Sequence, residues 1–188
     1  MKLSWLPNLL TIGRMLAVPP LVWLLLGGHF GWALAVAIFA GLSDLLDGWL
    51  ARRYGWQSRF GGLADPAADK LLMLASYITL AWLTELPWWL VLLVLFRDLV
   101  IVIGALVYHL VFEKVQAAPT QLSRFNTFCQ VFLMWFVLVR LAGFPLPPEA
   151  QIGLVWLVAA MAILTLVQYV WLWSLKAVEV TRRRRSGA

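Results

Sequence analysis

The chain of 188 residues is 63% hydrophobic and only 13% charged, with a mean hydropathy of +0.85, whereas soluble domains carry about 25% charged residues. That balance excludes a soluble globular domain and reads as an all-α integral membrane protein. The formal charge of +6 is concentrated at Arg182 to Arg185 and at Arg52, Arg53 and Arg59, a pattern that sets membrane orientation or touches anionic lipid and gives no reason to expect a nucleic-acid partner.

Residues 3–14, LSWLPNLLTIGR, are amphipathic and predict an N-terminal interfacial helix, with Pro7 and Asn8 suited to its start. It leads into a first span at about 15–28, short for a bilayer unless the preceding turns contribute. Arg14 and the pair Pro19-Pro20 interrupt this apolar run, so it does not read as a cleavable signal. Arg14 either snorkels to the interface as an anchor or meets an anionic phosphate. After Gly27-Gly28-His29 a second span starts near Phe30 and runs into Asp44 and Asp47. A third runs from Asp65 to about Leu83, and Glu85-Leu86-Pro87 makes the next turn. The fourth covers 88–111, a polar loop 112–124 follows, the last spans are 126–142 and 151–174, and a basic tail occupies 176–188. The expectation is six transmembrane helices plus the interfacial helix, in one membrane domain over 1–188. Cys129 is the single cysteine, so no internal disulfide can form.

Asp44 and Asp47 are three residues apart and Asp65 and Asp69 four apart, so on helices each pair projects from one face. Seventeen residues separate the pairs, among them Gly55, Gly61 and Gly62, too few for another crossing but enough for a turn between antiparallel helices. Four carboxylates brought together in a low-dielectric place repel, and divalent cation is the usual remedy. An oxygen-only set with no nearby Cys or His favours Mg²⁺ or Mn²⁺ over zinc.

With both termini inside, Lys2, Arg52, Arg53, Arg59, Lys114, Lys176 and the terminal arginines are all cytoplasmic, and the outer turns keep little beyond Arg140. Phe30 to Asp44 then spans roughly 21 Å of helix within a hydrocarbon core of roughly 30 Å. Both carboxylate pairs fall about 10 Å below the cytoplasmic face. Such a site suits a lipid whose reacting phosphate lies at the interface.

In order the residues read Asp44-x2-Asp47-Gly48-x2-Ala51-Arg52-x8-Gly61-x3-Asp65-x3-Asp69, and this eight-position pattern resembles the signature of the CDP-alcohol phosphatidyltransferases, membrane enzymes of phospholipid synthesis. The segment PNLLTIGR and the six-helix plan are also similar to that family, above all to its cardiolipin synthase and phosphatidylglycerophosphate synthase branches. The resemblance implies attack of an acceptor hydroxyl on the lipid-linked phosphate of CDP-diacylglycerol, with CMP leaving. It implies two Mg²⁺ or Mn²⁺ ions held by Asp44, Asp47, Asp65 and Asp69, with Asp69 also the general base. Gly48 and Gly61 stand where a nucleotide would approach the backbone closely. Arg52 and Ser58 would meet the phosphates or cytidine. Arg53 and Arg59 read first as orientation anchors, and the twelve Trp and ten Phe as interfacial belts and lipid-facing surface. His29 and His109 read as structural.

Arg97-Asp98 interrupts the fourth span near mid-membrane, where ionisable groups are costly. The pair either packs against another helix or lines an acceptor pocket, and Arg124 and Asn126 stand at the start of the fifth span. A glycerol-3-phosphate acceptor calls for several cations. In that branch a basic residue is expected eight positions after Arg97, where this chain has Ala105, and a Lys-x-Lys-Thr arrangement where it has Arg124-Phe125-Asn126-Thr127. Phosphatidylglycerol needs less neutralisation, so cardiolipin synthesis is the favoured expectation and phosphatidylglycerophosphate synthesis the alternative. A non-enzymatic cation transporter is a distant third, since it gives no reason for Gly48, Arg52 and Gly61 at fixed spacing. The family resemblance admits a homodimer, and the chain reads as a multi-pass protein of a bacterial inner membrane with its active site facing the cytoplasm.

Overall fold

The computed structural model describes residues 6–54, 59–111 and 120–185. Among them lie six helices: α1 (Leu6–Leu26), α2 (Phe30–Tyr54), α3 (Arg59–Trp82), α4 (Trp88–Val111), α5 (Gln121–Leu141) and α6 (Pro148–Arg185). Among the described residues three stretches are long and apolar enough to cross a membrane, Leu9–Leu26, Gln121–Leu141 and Pro148–Ser174, and Phe30–Asp44 is a shorter apolar stretch of α2.

The interfacial helix and first span expected as two elements are one continuous α1. Nothing between Asn8 and Val18 breaks a helix, and polar Thr11 and Arg14 are turned inward with Val18, Leu21 and Leu25, so one buried stripe at helical spacing runs its length. α3 starts at Arg59 rather than Asp65, which sets Gly61 and Gly62 inside a helix and Asp65 beyond its first turn. α5 starts at Gln121, five residues before the expected Asn126. α6 continues past the expected end at residue 174 to Arg185, so much of the basic tail is helical. Its length of about 57 Å at 1.5 Å per residue exceeds a hydrocarbon core of about 30 Å.

The helices pack as two compact units. The first holds α1, α2, α3 and the end of α5 with its following loop, Met134–Pro147. Here α2 offers Ala33, Ala37, Ala40 and Ser43 on one buried face, and small side chains at this spacing let helices approach closely where lipid gives no hydrophobic drive. α1 and α3 run parallel, because Thr11 meets Asp65 and Arg14 meets Asp69, at nearly the same offset. Helices α1, α3 and α5 end alike. The amide of the residue just past the turn reaches back five residues, His29 to Leu24, Glu85 to Leu80 and Phe144 to Val139. The cap residue before it is left-handed, namely Gly28 at φ 72°, Thr84 at φ 63° and Gly143 at φ 98°. Thr84 does this without the freedom of glycine. Arg140 pairs with Glu85, which ties the end of α5 to the turn after α3.

The second unit holds α4, α5 up to Leu133, and α6. The rings of Trp89 and Trp156 meet tilted at 5.4 Å, Arg97 bonds Thr165, and Gly104 lies against Trp173, three contacts at nearly constant offset that make α4 and α6 parallel. At Gly104 a Cβ would sit 1.8 Å from a Trp173 ring carbon, so only glycine fits.

Candidate functional site

Asp44 of α2 and Asp65 and Asp69 of α3 are turned to α1. Arg14 of α1 donates from Nη1 to Asp44 Oδ1 at 2.7 Å and from the same nitrogen to Asp69 Oδ1. One turn earlier Thr11 donates its hydroxyl to Asp65 Oδ1 at 2.5 Å. Three carboxylates from two helices thus gather on one stripe of α1. Exposure is uneven: the Arg14 side chain is 1% exposed, and those of Asp44 and Asp69 are 43% and 51% exposed. The cationic side of the site is sealed and the anionic side is open.

Asp47, Gly48 and Arg52 belong to α2 and Gly61 to α3, with side chains outside the described residues, and Ser58 lies outside them altogether. Among the described residues no three carboxylate, imidazole or thiolate groups close on a single point; Asp44 and Asp69 meet at Arg14 and Asp65 turns to Thr11. The donor set is all oxygen, the ligand type that a hard divalent cation takes.

Arg97, Asp98, Arg124 and Asn126 belong to the second unit. Arg97 is 4% exposed and every nitrogen of its guanidinium has a partner: Nε to Thr165 Oγ1 at 3.1 Å, Nη1 to Asp98 Oδ1 at 2.6 Å and Nη2 to Ser123 Oγ at 2.7 Å. Its charge is balanced by its neighbour in sequence and its fork is filled. Arg124 is exposed. Asn126 is wholly buried, and among the described residues neither its amide nitrogen nor its amide oxygen has a hydrogen-bond partner.

Sequence reasoning passed over Thr11, Ser123 as a partner of Arg97, and Thr165. Thr11 had a signal, since it precedes Arg14 by three residues and so shares its helix face. Thr165 had none, because its pairing with Arg97 depends on the register of α6 against α4.

A family profile described as CDP-alcohol phosphatidyltransferase matches residues 4–172, and the chain belongs to that family. It is similar to the cardiolipin synthase (CMP-forming) of Streptomyces coelicolor, 43% identical over 112 residues, 55% of this chain and 52% of that protein. A probable cardiolipin synthase of Drosophila melanogaster is 37% identical over 142 residues, 67% of this chain and 44% of that protein. A probable phosphatidylglycerophosphate synthase of Mycobacterium tuberculosis is 35% identical over 173 residues, 88% of this chain and 78% of that protein. The chain spans about half the length of the cardiolipin synthases it matches.

Proposed function

We propose that the chain transfers a phosphatidyl group from CDP-diacylglycerol to an acceptor hydroxyl with release of CMP. The observation that carries this reading is the meeting of Asp44, Asp65 and Asp69 on the Thr11–Arg14 stripe of α1 in a chain of this family. Asp44, Asp47, Asp65 and Asp69 would hold two Mg²⁺ or Mn²⁺ ions, which neutralise the charge that builds on the phosphates and the CMP leaving group. Asp69 takes the proton of the acceptor hydroxyl as that oxygen attacks the phosphorus. Arg52 and Ser58, with Arg14, meet the phosphates or cytidine, and Gly48 and Gly61 let the nucleotide approach the backbone.

The acceptor we favour is phosphatidylglycerol, making the product cardiolipin. Support comes from the second unit, where Arg97 is already committed to Asp98, Ser123 and Thr165 and has little left for a dianionic phosphate. Asn126 offers a neutral amide that donates and accepts, which matches the hydroxyls of a glycerol headgroup. Glycerol-3-phosphate is the second reading, favoured by the longer match to the mycobacterial relative named for phosphatidylglycerophosphate synthesis and by the exposed Arg124. The family profile runs through both units, which supports one membrane domain. We read all six helices as crossings of a cell membrane, with the carboxylates on the cytoplasmic side as the distribution of basic residues suggests.

Mass-spectrometric product analysis of the purified protein in detergent, with CDP-diacylglycerol, Mg²⁺ or Mn²⁺, and either acceptor, tests the reading. Cardiolipin with CMP is the expected outcome. Phosphatidylglycerophosphate would keep the chemistry and overturn the acceptor, and no CMP with either would contradict the reading.

A further inference from the structure

Arg14 is the largest fully buried side chain among the described residues. A sealed guanidinium is costly unless anions meet it, and here one nitrogen is shared between a carboxylate of α2 and a carboxylate of α3. Both carboxylates keep about half their surface open while the cation keeps none. α1 therefore carries a fixed positive charge at the point where two helices would otherwise present like charges to each other. An ion arriving from the open side must take hold of the same two oxygens, Asp44 Oδ1 and Asp69 Oδ1, that Arg14 Nη1 holds.

We propose that Arg14 is the resident counter-ion of the carboxylate cluster, tying α2 to α3 through Asp44 and Asp69 when no divalent ion is bound and competing with that ion for the same oxygens. This rests on the reading of the four aspartates as metal ligands. It separates Arg14 from an interfacial anchor, which would touch neither carboxylate, and from a group serving only phosphate, which would leave metal affinity unchanged.

The test uses the purified full chain in detergent, with Mn²⁺ as the probe. Free Mn²⁺ is followed by electron paramagnetic resonance, and thermal unfolding is measured in EDTA and in saturating Mn²⁺. Arg14→Gln should bind Mn²⁺ roughly fivefold more tightly than the wild type, the equilibrium worth of one partly exposed ion pair. In EDTA the variant should unfold at lower temperature than the wild type, and saturating Mn²⁺ should close most of that gap. Arg14→Lys, which keeps the charge without the planar fork, should fall between the two. If Arg14→Gln does not fold, the double variant Arg14→Gln with Asp44→Asn removes the uncompensated repulsion and should fold in EDTA. Failure of the double variant to recover would overturn the counter-ion role. Equal or weaker Mn²⁺ binding by Arg14→Gln, with binding intact in the wild type, would overturn the competition alone. No Mn²⁺ binding by the wild type would overturn the competition together with the metal reading of the aspartates.

Discussion

Asn126 is wholly buried with neither amide atom paired among the described residues, and a buried group left so costs roughly 1–3 kcal/mol. Stability gives no reason for it, whereas an incoming hydroxyl does. Asn126→Leu should therefore raise the unfolding temperature while raising KM for the acceptor several-fold and leaving KM for CDP-diacylglycerol unchanged. Unfolding curves and the two substrate titrations check both halves, and a lower unfolding temperature with unchanged KM would make Asn126 structural. At this scale the sequence was informative about which residue types gather. Four aspartates at helical spacing in an apolar chain were conspicuous, and three of them do meet at α1. It was silent on how they are held, because Arg14 could equally have snorkelled outward, and only the stripe shared with Thr11, Val18 and Leu21 turns it in. The role of Arg97 stayed open for the same reason, since its partners Ser123 and Thr165 lie 26 and 68 residues away.

At the scale of the elements, the contact between α4 and α6 depends on the lack of a side chain at Gly104. Gly104→Ala forces a methyl into the Trp173 ring, and overpacking of this kind typically costs about 1–3 kcal/mol. The variant should unfold at lower temperature, and adding Trp173→Leu should recover most of the loss; failure of that recovery would mean the contact does not govern the pair. The start of α4 was legible, because Pro87 precedes it and the apolar run begins at Trp88. The starts of α3 and α5 were not, since Gly61-Gly62 and Pro119-Thr120 are turn signals in sequence and a helix can extend past glycine at about 1 kcal/mol each. The caps were half legible. Gly28 and Gly143 mark their turns, but Thr84 adopts the same left-handed geometry with a β-branched side chain, which no local rule selects.

For the whole molecule, composition alone pointed to an all-helical membrane protein, and the six helices and the family match agree with it. Among the described residues three stretches have the length and hydropathy to cross a membrane. The measurement that tests the account most directly is CMP release from CDP-diacylglycerol by the purified protein, with phosphatidylglycerol present, compared among Mg²⁺, EDTA and the variant Asp69→Asn in Mg²⁺. The account predicts release that stops in EDTA and returns with Mg²⁺, and that falls by about 10²–10⁴-fold in Asp69→Asn with helical content unchanged. CMP release that persists in EDTA, or in a folded Asp69→Asn protein, would contradict it.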